Sequence, residues 1–282
     1  MDAGTVRALV AEQFPQWADL SVTPVAQQGN DNRTFRLGDG LAARLPAGPE
    51  YAAAVEKEDR WLPVIGRHVT VAVPEVVATG RPGQGYPHSW SVRRWLPGDV
   101  LPAAGPVDDA RLGADLGGFL RELQRTPATG GPPAGAHSFD RGRHPSRYEG
   151  EVRAALARLG STVDQAACAA VWADAQPTSW SGDPVWFHGD LAPGNLLVRG
   201  GRLSAVIDFG VCGVGDPACD LVIAWTWLGD AGRAAFRDAV DLDEGTWARA
   251  RGWALWKALI TDPGSPLHGE QRRARTALLN GR

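Results

Sequence analysis

The stretch FHGDLAPGN, residues 187–195, places a histidine, an aspartate and an asparagine in fixed order between two short strand-like segments. A second polar stretch, AVIDFG at residues 205–210, ends the next strand-like segment. A hairpin turning at the Gly-Gly pair 200–201 is expected to bring Asn195 and Asp208 face to face, with Asp190 nearby in the preceding turn. These three side chains form the candidate functional centre of the sequence.

The chemistry of these three side chains fits phosphoryl transfer. A carboxylate and an amide oxygen are ligands that a hard cation such as Mg²⁺ accepts. A second carboxylate can orient an attacking hydroxyl while the metal neutralises a triphosphate. Taken singly, Asp190 and Asn195 are better explained as turn formers and Asp208 as a strand-end cap, because Asx residues favour turns. Their joint order is what indicates phosphoryl transfer.

The order of three motifs adds a family resemblance. HGDLAPGN, then IDFG, then GDPACDL at 215–221 resembles the catalytic loop and metal motif of the protein-kinase-like superfamily. His-Gly-Asp in place of His-Arg-Asp, together with GDPACDL, is similar to the aminoglycoside phosphotransferase and choline kinase branch. The resemblance covers most of the chain. It implies an α+β, bilobal, protein-kinase-like fold with a small β-rich N-lobe and a larger, mainly helical C-lobe.

The resemblance also assigns roles to single residues. Asp190 resembles the catalytic base, and Asn195 and Asp208 resemble the Mg²⁺ ligands. His188 would hold the shape of the loop, and Asp220 would brace it from the following helix. The implied activity is transfer of the γ-phosphate of ATP, or GTP, to a hydroxyl of an antibiotic such as an aminoglycoside or of a related metabolite.

The composition along the chain predicts where the two lobes meet. The first hundred residues are mostly strand-like and include one helix-like segment, after which leucines recur at helical spacing. The segment 96–109 between these parts is rich in proline and glycine. We therefore expect a nucleotide-binding lobe over residues 1–95 and a catalytic and substrate-binding lobe over residues 96–282.

The expected phosphate-binding loop departs from the family pattern. The stretch AQQGNDNRTF, residues 26–35, has Gly29 as its one glycine, followed by Asn30 and Asn32. Asparagine tolerates unusual backbone angles, and backbone N–H groups in such a turn can meet phosphate oxygens. A plain hairpin turn explains the stretch equally well.

The usual third-strand lysine is also missing, and Arg44 stands in its place. Arginine binds phosphate bidentately, so it can serve there; the alternative is an exposed strand arginine. Its expected partner is Glu58, preferred over Glu56, which points to another side of the helix. The adenine would lie against the hinge, at the backbone groups of Arg93 and Trp95. Val92 or Leu197 would supply an apolar wall.

The acceptor is less well defined by the sequence. Acidic residues of the helical part could line a pocket for a cation, although helix capping explains several of them: Asp230, Asp241, Asp243, Glu244, Asp262 and Glu270. Trp225 and Trp227 lie two apart on a helix, so one of them could face a cleft while most tryptophans pack in the core. An aminoglycoside, another antibiotic, a choline-like amine, a sugar and an amino alcohol all stay open as acceptors.

Composition excludes several other classes of protein. The net charge is −3 with no basic run, so nucleic acid is not expected as a partner. The three cysteines form no CxxC pair, and neither a signal peptide nor a membrane-spanning stretch is visible, which favours a cytoplasmic protein. Both a monomer and a homodimer stay open. A nucleotide-binding pseudokinase with a sensing or scaffolding role is the alternative function. A protein kinase would need an activation segment, for which the chain after Gly210 has no room.

Overall fold

The fold consists of two units, each built from separate segments of the chain. The computed structural model describes residues 1–26, 28–29, 31–265 and 267–280. The first unit comprises Met1–Arg67, Ala72–Pro97 and Val206–Gly210. The second comprises His68–Val71, Gly98–Ala205 and Val211–Arg282. The first unit's second segment ends at Pro97, and the segment that carries Asp208 also belongs to the first unit.

The first unit is a five-stranded antiparallel sheet with two helices, as its β-rich sequence predicts. The strands have the order β1-β2-β3-β5-β4. The elements are α1 (Ala3–Gln13), β1 (Val22–Pro24), β2 (Asn32–Leu37), β3 (Leu41–Pro46), α2 (Pro49–Ile65), β4 (Val76–Gly80) and β5 (Trp90–Arg94). The helix α1 is not anticipated by the strand-like reading of this part of the sequence. Its Val6 and Leu9 are fully buried in the same core as Phe35 of β2 and Trp90 of β5.

The central strand β3 decides where polar groups of this unit can lie. Every residue of β3 is buried except Arg44, which is half-buried. A guanidinium on a strand otherwise made of apolar residues is costly unless it is paired. Arg44 therefore has to find acidic partners within this unit.

The second unit is mainly helical and carries two small sheets. Its helices are α3 (Asp109–Arg125), α4 (Glu149–Leu159), α5 (Gln165–Asp174), α6 (Ile223–Thr226), α7 (Asp230–Val240), α8 (Glu244–Ile260) and α9 (His268–Asn280). Its strands are β6 (Asp99–Val100), β7 (Val185–Phe187), β8 (Leu196–Arg199), β9 (Arg202–Val206), whose last residue belongs to the first unit, and β10 (Gly213–Gly215). The sheets are β6-β8-β9 and β10-β7, so the hairpin expected at residues 200–201 is present.

Two helices of this unit approach closely because small residues face each other. A methyl group on Gly113 of α3 would lie 2.0 Å from the carbonyl oxygen of Gly232 in α7. One on Gly117 would lie 2.6 Å from the Ala239 side chain. The helix α8 is buried along most of its length, which fixes the side chains it carries. Within the described residues, no helix combines the length and the apolar character needed to cross a bilayer.

Candidate active site

The loop between β7 and β8 is held from behind by one buried carboxylate. Asp220 is fully buried and accepts hydrogen bonds from the backbone N–H groups of His188 and Gly189, each at 2.7 Å. Gly189 has a φ of 86°, and a side chain there would lie 2.9 Å from the Val211 carbonyl oxygen. Burial raises the pKa of Asp220, while the two N–H donors and His188 oppose that rise. The bracing role expected for Asp220 is confirmed by these contacts.

Asp190 projects from this loop with both carboxylate oxygens occupied. Its Oδ1 accepts from Lys257 Nζ at 2.9 Å, and its Oδ2 accepts from Asn195 Nδ2 at 3.2 Å. Asn195 Nδ2 also donates to the Asp190 carbonyl oxygen at 2.9 Å. Asp190 and Asn195 therefore share one tight turn, and the amide group of Asn195 keeps the carboxylate in place.

The partner of Asp190 on α8 was missed by the sequence analysis. Burial raises the pKa of Asp190, but the Lys257 ammonium outweighs it, and with Arg141 and His188 it brings the pKa down to about 2. The sequence analysis gave Lys257 no role in the site. One signal pointed to it, because Lys57 and Lys257 are the only lysines of a chain that otherwise uses arginine.

Asp208 lies in the first unit in a conformation that is rare for residues other than glycine. Its φ is 68°, in the left-handed region, and such strain concentrates at functional sites. Asp208 Oδ1 accepts from Arg44 Nη2 at 2.8 Å. Because the side chain is 28% exposed, its second oxygen stays accessible. Arg44, which the sequence places where the family usually has lysine, is thus hydrogen-bonded to Asp208, the expected metal ligand.

A buried ion-pair network surrounds Arg44. Glu58 of α2 is 2% exposed and accepts from Arg44 Nη1 at 3.2 Å and from Arg93 Nη2 at 3.0 Å. Burial raises the pKa of Glu58, but the two arginines outweigh it and hold it below the usual value. The preference for Glu58 over Glu56, which is exposed, is confirmed as a pairing. The alternative of an exposed strand arginine is wrong for Arg44.

The hinge residues expected to contact adenine, Arg93 and Trp95, lie in β5 and directly after it. Arg93 lies in β5, and its side chain is 2% exposed within the Glu58 network. The Trp95 N–H donates to the Gly40 carbonyl oxygen at 2.9 Å, so it is already satisfied, and only the Trp95 carbonyl is left for a ligand. Leu197 lies in β8 with its side chain buried, and Val92 is fully buried in β5.

The expected phosphate loop is only partly described. Asn30 lies outside the described residues. The Gly29 carbonyl oxygen accepts from Arg33 Nη1 at 2.7 Å, and Asn32 is the buried first residue of β2. Gln28 ties the turn to β2, because its side chain both accepts from and donates to the Thr34 backbone. In the described part of this loop, no residue has a positive φ.

The oxygen atoms that remain available are of the kind that Mg²⁺ binds. In the described structure, neither Oδ1 of Asn195 nor Oδ2 of Asp208 takes a hydrogen bond. Both are hard donors, so the residues fit a magnesium ion by donor chemistry. Among the described residues, no cluster of three or more acidic, histidine or cysteine side chains is placed to hold a metal.

A pocket of the second unit opens beside Asp190. It contains about 380 Å³ of space, part of it open to solvent. Its charged and aromatic lining consists of Arg141, Asp190, Trp253, Trp256, Lys257 and Glu270.

The composition of this pocket corrects the expectation of an acidic lining. Of the six acidic residues considered, only Glu270 lines it. The other five lie in caps or surface ion pairs: Asp230 with Arg233, Asp241 with Arg121, Asp243 at the N-terminus of α8, Glu244 with Arg237, and Asp262 with Arg158. Trp225 is buried, and Arg273 lies over Trp227. The aromatic side chains of the pocket are instead Trp253 and Trp256, which the sequence analysis assigned to the core.

Comparison with protein families and solved structures agrees with this arrangement. The profile of the phosphotransferase enzyme family matches residues 21–253. Comparison with curated protein sequences gives no significant match. Over 100% of this chain and 99% of the other, the fold is similar to the GDP complex of wild-type aminoglycoside 2'-phosphotransferase-IIIa, with a TM-score of 0.74 and 18% identity.

Two further solved structures share the fold. The apoenzyme of macrolide 2'-phosphotransferase MphH from Brachybacterium faecium is 25% identical, with a TM-score of 0.61 over 98% of both chains. The ADP-bound aminoglycoside phosphotransferase APH(2'')-Ib is 15% identical, with a TM-score of 0.61 over 99% of this chain and 97% of the other. The fold is therefore that of aminoglycoside and macrolide phosphotransferases, as the motifs predict.

Proposed function

Because the chain belongs to the phosphotransferase enzyme family, we propose that it transfers the γ-phosphate of ATP or GTP to a hydroxyl of a small molecule. The acceptor class is an antibiotic, such as the aminoglycosides and macrolides named for its structural neighbours, or a related metabolite. The observation that carries the proposal is the Asp190 carboxylate, held by Asn195 and Lys257, on the wall of a pocket.

Asp190 orients the acceptor hydroxyl in this proposal. With a pKa of about 2, the carboxylate is ionised at neutral pH and is a weak base. Phosphoryl transfer needs little removal of the hydroxyl proton before the bond to phosphorus forms, so a weak base in the right place is sufficient. Asn195 and Lys257 keep the carboxylate in position, which lowers the entropic cost of reaching the reactive arrangement.

The nucleotide side of the proposal depends on the Arg44 network and on a magnesium ion. Asn195 and Asp208 would bind Mg²⁺, which when present neutralises charge on the phosphate oxygens. Arg44, already oriented by Glu58, would bind phosphate oxygens with its guanidinium. GDP, ADP and ATP are each named in complexes of structural neighbours, which supports a purine nucleotide as donor.

A turnover assay with a matched pair of variants tests the proposed function. Release of ADP or GDP is measured with Mg²⁺ over a panel of antibiotics and small hydroxyl metabolites. Asp190→Asn is expected to lower acceptor-dependent turnover by about 100-fold or more while nucleotide binding persists. Asp183→Asn, an exposed substitution in the same unit, serves as the control and is expected to match the wild type.

Two outcomes would point elsewhere. If the Asp190→Asn variant keeps acceptor-dependent turnover, Asp190 does not have the proposed role of orienting the acceptor hydroxyl. Nucleotide binding without turnover over the whole panel would favour the pseudokinase alternative.

A further inference from the structure

The charges around the pocket beside Asp190 are balanced rather than acidic. Two cations, Arg141 and Lys257, face two acids, Asp190 and Glu270. Lys257 is already paired with Asp190 at 2.9 Å. Burial raises the pKa of Glu270, which makes its negative charge easier to lose. A ligand in this pocket therefore meets no excess of negative charge.

Arg141 is the cation of this pocket that has no acidic partner. In the described structure, no carboxylate lies within ion-pair distance of its guanidinium. Its neighbours differ, because Arg143 and Arg147 both pair with Asp140. The Arg141 guanidinium instead lies 5.8 Å from the ring centre of Trp256. A stacked guanidinium keeps its in-plane N–H donors available for a planar or tetrahedral anion.

The backbone around Arg141 is rigid and strained. Phe139 and Asp140 have φ angles of 49° and 53°, in the left-handed region that residues with side chains avoid. Gly142 has a φ of 82°, and a methyl group there would lie 2.0 Å from Phe187. Such strain persists only where the surroundings enforce it, and it concentrates at ligand sites.

Hydrogen bonds enforce this conformation on both sides of Arg141. The Arg141 N–H donates to the Ser138 carbonyl oxygen at 3.0 Å, and the buried Ser138 hydroxyl donates to the Arg141 carbonyl oxygen at 2.9 Å. The fold thus presents Arg141 at the pocket in a fixed position rather than on a free loop.

We propose that the acceptor is an alcohol that carries an anionic group, a carboxylate or a phosphate, and that Arg141 binds this group. The inference rests on the proposed function and narrows its acceptor to a related metabolite that carries an anionic group, which leaves out the polycationic aminoglycosides. The anionic group of the acceptor forms an ion pair with Arg141, while Asp190 faces the hydroxyl of the same acceptor. A polycationic acceptor would bring further positive charge beside Arg141, which no carboxylate of the pocket pairs, and like charges at short distance repel.

A series of sugars that differ only at carbon 6 tests this inference. The probes are glucose, 6-amino-6-deoxyglucose, glucuronate and glucose 6-phosphate, which are neutral, cationic and anionic in turn. Their binding to the purified full-length protein is measured by calorimetry at one ionic strength. We expect glucuronate or glucose 6-phosphate to bind at least tenfold more tightly than glucose, and the amino sugar to bind most weakly. The two anionic probes distinguish a carboxylate site from a phosphate site.

Variants of two arginines from the same loop locate the anion. Arg141→Gln is expected to weaken binding of the preferred anionic probe by about 10- to 100-fold and to leave glucose binding unchanged. Arg141→Lys should recover part of the loss. Arg147→Gln, at a largely exposed arginine paired with Asp140, should bind every probe as the wild type does. Circular dichroism confirms that each variant is folded.

The inference and the proposed function fail in different ways. Equal binding of the four sugars, strongest binding of the amino sugar, or an Arg141→Gln variant with unchanged preference would overturn the anionic acceptor. Each of these results leaves the proposed function standing if Asp190-dependent nucleotide turnover is seen. Nucleotide turnover that does not depend on Asp190 would overturn the proposed function, whichever sugar binds.

Discussion

Lys257 Nζ lies 2.9 Å from Asp190 Oδ1, so the ion pair joins the last turn of α8 to the loop that carries the proposed catalytic residue. The pair has two opposing effects on that carboxylate. It fixes the position of Asp190, which favours catalysis, and it lowers the pKa of Asp190, which weakens it as a base. Phosphoryl transfer tolerates the second effect because position matters more than basicity.

The first prediction is that Lys257 sets the acid limb of the pH–rate profile. Lys257→Met removes the ammonium and keeps the length of the chain, so the pKa of Asp190 should rise by about 1–3 pH units. The acid limb of kcat/KM should move to higher pH, and kcat should fall because the carboxylate is less well held. Lys57→Met, at the only other lysine, is the control. An unchanged acid limb in Lys257→Met would show that Asp190 is not the group that titrates.

The second prediction concerns stability against pH. The pKa of Asp190 is depressed in the folded state, so the ion pair stabilises the fold above the unfolded pKa of about 4. This stabilisation should disappear as the pH falls through about 4 towards 2. The difference in Tm between wild type and Lys257→Met should therefore be largest near neutral pH and shrink as the solution becomes acidic. A difference that stays constant down to acidic pH would contradict the assignment.

The third prediction is that Asp220 is needed for the shape of the catalytic loop. Asp220→Asn keeps the size of the side chain but replaces one acceptor oxygen by a donor that faces a backbone N–H. We expect the free energy of unfolding to fall by about 2–4 kcal/mol and turnover to fall with it. Urea denaturation measures the first effect. Asp230→Asn, which changes a fully exposed carboxylate, should leave both properties unchanged.

The fourth prediction tests Arg44 as the substitute for the family lysine. Arg44→Met should weaken binding of ATP and GTP by about 10- to 100-fold, because a charged donor to phosphate is lost. Glu58 keeps Arg93 as a partner, so the variant is expected to fold. Arg44→Lys should recover part of the affinity. Calorimetry with both nucleotides is the measurement, and Arg94→Met, at an exposed residue of β5, is the control. Unchanged affinity in Arg44→Met would exclude the phosphate contact.

The fifth prediction is that the strained loop before α4 tolerates no side chain at residue 142. Gly142→Ala should lower the free energy of unfolding by about 2–4 kcal/mol, because the new methyl group meets Phe187 and the φ of 82° is strained for alanine. Gly150→Ala, inside α4 with open space around it, should instead be neutral or stabilise the protein by about 0.5–1 kcal/mol. Equal effects of the two substitutions in thermal denaturation would show that the loop relaxes freely.

The sequence predicted the fold class and the turn that holds Asp190 and Asn195 together because both follow from local patterns. Period-2 segments separated by turns indicate an antiparallel sheet, and Asp190 and Asn195 lie in one short turn whose geometry follows from its own residues. The pairing of Arg44 with Glu58 was also predictable, since the helix after β3 places Glu58 on a different side from Glu56.

The contents of the acceptor pocket were decided by tertiary structure alone. Arg141, Lys257 and Glu270 come from a loop and two helices far apart in the chain, and no local pattern relates them. In the sequence, nothing distinguished the six acidic residues considered for the pocket from one another. In the structure, Glu270 lines the pocket, and the other five lie at helix caps or in exposed ion pairs. The helix α8 is so largely buried that packing, rather than sequence spacing, selects which of its side chains reach the pocket. The sequence by itself determined the reaction class, because the residues of the motif loop lie close together in the chain. Only the fold decided the charge in the proposed acceptor pocket, because that charge is the sum over side chains that packing brings together.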